Sequence, residues 1–249
     1  MAKKDNTSGR VGLLDELRGF AIICMVVYHT MYQLKYTFGV DVPVFFDGWF
    51  NVVRDIFAGL FIFISGAVCR FSKNNIKRGA QCFFLGMILT FVTPFFSDGT
   101  ICFGILHMLG VSMMLFGLGE QIFDCLPALA GILISAVLFV LTIGVKDGFI
   151  GIGGLFELQL PEQAYNVGVL FPFGMYSRGF VSLDYFPLLP WFFLFIAGSY
   201  FGIWAKNKSL PGFFYPTHIK WLAAVGRHTI WIYMLHVPII YLIFSLIFR

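Results

Sequence analysis

Long apolar runs recur along the chain, divided by short polar stretches. A helix needs roughly 20 apolar residues to cross a bilayer. Seven runs are predicted to do so, at about 14–36, 49–70, 79–97, 101–119, 124–145, 187–205 and 222–247. The stretch 146–186 interrupts this rhythm. It contains "GIGGLFELQLPEQAYNVGVLFPFGMYSRGFVSLDYF", whose Gly, Pro and aromatic residues argue against a regular span. A loop this long with apolar patches is expected to hold a re-entrant or interfacial helix. The predicted fold is an all-α integral membrane protein of about seven transmembrane helices. Residues 1–13 form a polar tail, 14–249 read as one domain, and no sequence repeat is visible.

Composition agrees with this pattern. Of the 249 residues, 59% are hydrophobic and 12% charged, with a mean hydropathy of +0.84; soluble domains carry about 25% charged residues. The first run has no small-residue cleavage site after it and reads as a signal anchor. Cys24, Cys69, Cys82, Cys102 and Cys125 form no CxxC pair and read as packing residues.

Charge adds an orientation. Twelve of the 17 basic residues fall in three segments predicted to share one side: Lys3, Lys4, Arg10 and Arg18; Arg70, Lys73, Lys77 and Arg78; Lys206, Lys208, Lys220 and Arg227. By the positive-inside rule the N-terminus is expected in the cytoplasm and the C-terminus outside. The remaining cations are Lys35, Arg54, Lys146, Arg178 and Arg249. Basic residues this few, explained by topology, give no support to nucleic-acid binding. Phosphate-loop, dinucleotide, zinc-protease and serine-elbow motifs are absent from the sequence.

The polar residues inside the runs are where chemistry is to be sought. "DELRGFAIICMVVYHTMY" carries Arg18 and His29 eleven residues apart. At about 100° and 1.5 Å per residue they share one helix face, about 16 Å apart. Arg18 alone can be read as a snorkelling anchor, and a membrane histidine as a helix–helix hydrogen-bond partner. An intramembrane ionisable group is also a candidate site, and histidine suits a general base. His107 in "FGILHMLG" is expected at a depth similar to His29. Thr229, Tyr233 and His236 share a face of the last run at i, i+4 and i+7. Arg227 lies about 180° from His236 if both are helical. His228 is expected at the interface, and His218 has no assigned role. Asp184 and Trp191 flank two prolines at the outer boundary, where the plain reading is an aromatic belt. The cations around "CRFSKNNIKRG" read as topogenic charge, and as a cluster that would also attract a phosphate-rich cofactor.

Arg-x10-His within "LDELRGFAIICMVVYH" resembles the transmembrane acyltransferases, both the acyltransferase-3 group and the heparan-α-glucosaminide N-acetyltransferase group. "FIFISGAVCRFSKNNIKRG", "FGILHMLG", "DYFPLLPWFFLFIAGSYFG" and "GRHTIWIYMLHVPII" resemble bacterial members of the second group, in the same order from about residue 10 to 245. The resemblance implies an enzyme that takes an acyl group, usually acetyl, from cytoplasmic acetyl-CoA. It would pass this group across the membrane to a sugar hydroxyl or amine, or to a glycan, and a homodimer is among the implied assemblies. The acyltransferase-3 pattern makes Arg18 and His29 the functional pair. Eukaryotic heparan acetyltransferases place Asn at the position of His29 and their histidine further on, whereas this chain has no histidine between His29 and His107.

His29 is accordingly the expected general base or nucleophile, with His107 or His236 orienting it or stabilising the oxyanion. Direct transfer and a ping-pong route both stay open. Arg18, Arg70, Lys77, Arg78 and Arg227 are the expected cofactor-binding residues, and Asp184, Trp191 and Arg178 the expected acceptor-binding residues; no metal is expected. Two other readings remain, a transporter and a haem-binding electron carrier using the intramembrane histidines.

Overall fold

The protein is described by a computed structural model covering residues 11–43, 48–97 and 99–248. The expectation for the tail falls mostly on residues 1–10, outside the described residues. Among the described residues ten α-helices follow in order: α1 Gly12–Tyr36, α2 Gly48–Cys69, α3 Asn75–Val92, α4 Ile105–Leu118, α5 Glu120–Phe123, α6 Ala128–Thr142, α7 Glu162–Asn166, α8 Leu188–Lys206, α9 Lys220–Arg227 and α10 Thr229–Ile247.

Among the described residues, five helical segments are long and apolar enough to cross a membrane: Gly48–Cys69, Asn75–Phe95, Ala128–Asp147, Leu188–Lys206 and Thr229–Ile247. The expectation was seven. α1 has the length, at 25 residues, but carries Asp15, Glu16, Arg18, His29, Gln33 and Lys35. α4 is apolar but only 14 residues long. Its expected first turn is lost because residues 100–103 are extended and pair with the segment before α8. Leu183 N donates to Thr100 O at 3.0 Å and Phe186 N to Phe103 O at 2.9 Å.

One expectation is corrected. The last apolar run, expected as one helix over 222–247, breaks at His228 (φ −108°, ψ 16°) into α9 and α10. The long loop, expected to hold a re-entrant or interfacial helix, is built of short elements. It carries an antiparallel hairpin, β1 Phe149–Ile152 and β2 Phe156–Gln159, in the register Phe149↔Gln159 to Ile152↔Phe156. The five-residue α7 follows. Gly and Pro close to each of these pieces keep them short.

Helix packing relies on close backbone approach. Lipid is as apolar as a leucine side chain, so small residues that let backbones touch supply much of the attraction between helices. α2 and α8 illustrate this: a methyl group on Gly198 would strike the Phe63 carbonyl, and one on Gly66 the Phe195 carbonyl. The glycine that ends "FIFISG" is therefore a packing position. α9 is tied to α1 by a carboxylate. Glu16, 4% exposed, accepts from the backbone N–H groups of His218 and Ile219 and so caps a helix whose N-cap is an isoleucine. The core between helices is built on Ile22, Ile62, Met108, Phe116, Phe195 and Tyr200.

The molecule has two distinct ends. At the basic end, Gly12 N donates to Tyr215 O at 3.0 Å, and Val11, Leu14, Ala67 and Ala205 pack together. At the loop end, the segments around Phe103, Asp184 and Val145 meet beneath the hairpin.

Candidate active site

Arg18 and His29 both face α10, as one shared helix face requires. Arg18 Nη2 donates to Thr229 Oγ1 at 3.0 Å, and its Nε is buried without a partner. The His29 ring meets the His236 ring edge-on, with centroids 5.0 Å apart. His236 Nδ1 lies 2.7 Å from the Tyr233 carbonyl. A carbonyl only accepts, so Nδ1 carries the proton and Nε2 is the bare nitrogen. That Nε2 has no hydrogen-bond partner.

Two cavities lie along this face. The larger, of about 490 Å³, opens at the loop end and is lined by His29, Arg54, Asp55, Asp184, Trp191 and a set of aromatic rings. The smaller, of about 160 Å³, lies toward the basic end and is lined by Arg18, Ser65, Arg78, Gln81 and Thr229, with apolar residues between them. Phe61 and Tyr233 line both.

Asp184 is 8% exposed. Its Oδ2 accepts from Tyr233 Oη at 2.8 Å and from Ile105 N at 3.1 Å. The second bond places the carboxylate at the N-terminus of α4, where free amides and the helix dipole favour negative charge. Burial pushes the Asp184 carboxyl above its ordinary pKa, and the bonds from Tyr233 and Ile105 pull the other way. Across the cavity, Arg54 pairs with Asp55 at 2.8 Å and donates to Tyr28 Oη at 3.3 Å. No protein hydrogen bond to the His29 ring occurs among the described residues, so its ring nitrogens are free to meet a ligand in the cavity that it lines.

The chain was compared with known protein families. Residues 10–238 fit the sequence model described as heparan-alpha-glucosaminide N-acetyltransferase, catalytic. The chain belongs to this family. The matched stretch contains every residue that lines the two cavities. No curated protein and no solved structure matches the chain. The family points to a membrane acetyltransferase acting on glycans.

The remaining expected residues are dispersed around this candidate site. Arg78 lines the smaller cavity and Trp191 the larger. Arg70 lines neither. It is 7% exposed, pairs with Asp124, donates from Nε to Ser199 O at 3.1 Å and lies over the Phe116 ring. Lys77, Arg178 and Arg227 are exposed and line neither cavity. His107 is buried but committed: Gly104 N donates to its Nδ1 at 3.2 Å, which leaves Nε2 protonated and facing Thr90 Oγ1 at 3.4 Å. Nδ1 thus helps start α4 at its glycine N-cap, and Nε2 ties that helix to α3. His29 and His236, in edge contact, leave no room for a porphyrin plane between them.

Arg54 and Tyr28 were missed as site residues. Arg54 counted only as a minority cation in the charge balance. An arginine next to an aspartate inside an apolar run was signal enough to single it out.

Proposed function

We propose that this protein transfers an acetyl group from acetyl-CoA, bound at the basic end, to a sugar hydroxyl or amine bound at the loop end. One observation carries the reading: a cationic cavity at Arg18 and Arg78 and a histidine-containing cavity at His29 lie along one face and meet at two side chains. The basic end is cytoplasmic in this reading, following its Lys and Arg excess. α1 and α4 join the five long apolar helices as crossings, which puts the C-terminus outside.

Arg18 and Arg78 suit the phosphates of coenzyme A, because guanidinium groups bind phosphate oxygens in pairs. The acyl-bearing arm then runs along α1. The rise from Arg18 to His29, about 16 Å, is comparable to its length. His29 acts as general base. It removes the proton from the acceptor hydroxyl or amine as the acceptor's oxygen or nitrogen attacks the thioester carbonyl carbon. The new C–O or C–N bond forms, the C–S bond breaks, and the proton passes from His29 to the departing thiolate, giving coenzyme A. Trp191 and the neighbouring rings offer flat apolar surfaces to a sugar, and Arg54, Asp55 and Asp184 offer polar contacts.

The test is transfer in proteoliposomes, with radiolabelled acetyl-CoA on the basic-end side and glucosamine on the other. Labelled N-acetylglucosamine on the acceptor side is expected. Movement of glucosamine without loss of acetyl-CoA would make the protein a transporter and overturn the reading.

A further inference from the structure

The donor and acceptor cavities are separate, yet the reaction needs their contents to touch. Among the described residues, only Phe61 and Tyr233 line both. We propose that Tyr233, backed by Phe61, is a gate between the two cavities, latched shut by its hydrogen bond to Asp184 and opened when the acyl arm passes toward His29. The proposal rests on the transfer reading above and adds the element that controls it.

Three features give Tyr233 this role. Its ring is 5% exposed and borders both cavities from within the core. Its phenol has one protein anchor, Asp184 Oδ2 at 2.8 Å. That anchor is itself held, since Ile105 N donates to the same oxygen at 3.1 Å; Asp184 therefore stays in place when the ring swings away. The backbone at Tyr233 is also committed, its carbonyl accepting from His236 Nδ1 at 2.7 Å. The freedom left is rotation of the side chain. Phe61 has no polar atom to tether it and yields by a rotamer change.

The closed gate has a chemical use. Water from the wide outer cavity would hydrolyse a thioester waiting in the inner one, and a continuous wet path would leak protons. A ring pair at the junction excludes both until an acyl arm displaces it.

Two native cysteines report on the gate directly. Cys24 lines the outer cavity and Cys82 the inner one. Full-length variants that keep one of these cysteines, the other four changed to serine, are placed in vesicles sealed with the loop end outward. A membrane-impermeant methanethiosulfonate reagent is then added outside. Cys24 is expected to react, and Cys82 to be protected. Tyr233→Phe keeps the ring and removes the latch, and is expected to speed Cys82 modification about tenfold, the scale of one hydrogen bond to a carboxylate. Tyr233→Ala is expected to speed it further. Acceptor-independent hydrolysis of acetyl-CoA should rise relative to transfer in the same order. Unchanged Cys82 protection in Tyr233→Phe, with an unchanged ratio of hydrolysis to transfer, would overturn the gate. Absence of acetyl-CoA turnover in the wild type would defeat the transfer reading instead, while the cysteine rates, which need no substrate, still decide whether Tyr233 separates the cavities.

Discussion

Arg18 and Arg70 are two arginines of the basic end with opposite surroundings. Each has a buried nitrogen without a partner, Nε in Arg18 and Nη2 in Arg70. What separates them is access. Arg70 is sealed between α2, α8 and the turn after α5, with Asp124, the Ser199 carbonyl and the Phe116 ring around it. Among the described residues Arg18 makes a single side-chain hydrogen bond, to Thr229, and it lines a cavity. A buried charge with its partners supplied by the fold holds helices together. One whose free donors border a cavity is placed to hold a ligand.

The comparison breaks most sharply at Asp124. Asp124→Ala leaves the Arg70 guanidinium buried without its counter-charge. It is expected to lower unfolding stability by about 3 kcal/mol, the lower end for a broken buried pair because Asp124 is half exposed. Thermal denaturation in detergent measures this, and the surviving folded protein should keep its acetyl-CoA affinity. Arg18→Met is expected to do the reverse. Its midpoint of denaturation should shift little, while the KM for acetyl-CoA rises about tenfold through loss of a charged phosphate contact. Equal effects on stability and KM in both variants would erase the distinction.

Much of the Arg18 side was legible in the sequence. Eleven residues at helical pitch put Arg18 and His29 on one face, and the i, i+4, i+7 pattern put Thr229, Tyr233 and His236 on another. The structure sets these two faces against each other. The fate of Arg70 was hidden, because its partner Asp124 lies 54 positions away and no local pattern links them. His107 misled for a related reason. Its nitrogens are consumed by Gly104, three residues back, and by Thr90, on a neighbouring helix. The span count is least plain at α1, since the residues that make it a candidate site also make it less apolar. Hydropathy could not show the break at His228 either, because both sides of it remain apolar enough to read as one run.

Smaller effects sharpen the same contrast at the other end. Trp191→Ala removes a ring that lines the outer cavity. It is expected to raise the acceptor KM several-fold, equivalent to about 1 kcal/mol of aromatic contact, and to leave the acetyl-CoA KM alone. Arg178→Ala removes an exposed cation outside both cavities, and should change stability by less than about 0.5 kcal/mol. A large rise in acceptor KM for Arg178→Ala would show that the acceptor site extends beyond the cavity.

The central claim is that His29, which lines the larger cavity, does the proton transfer. Single-turnover consumption of acetyl-CoA by purified His29→Ala, with acceptor present and folding checked by its denaturation midpoint, tests it most directly. The expected result is a fall of about 10²–10⁴-fold, the range for loss of a general base, with acetyl-CoA binding retained. Turnover at the wild-type rate would contradict the account.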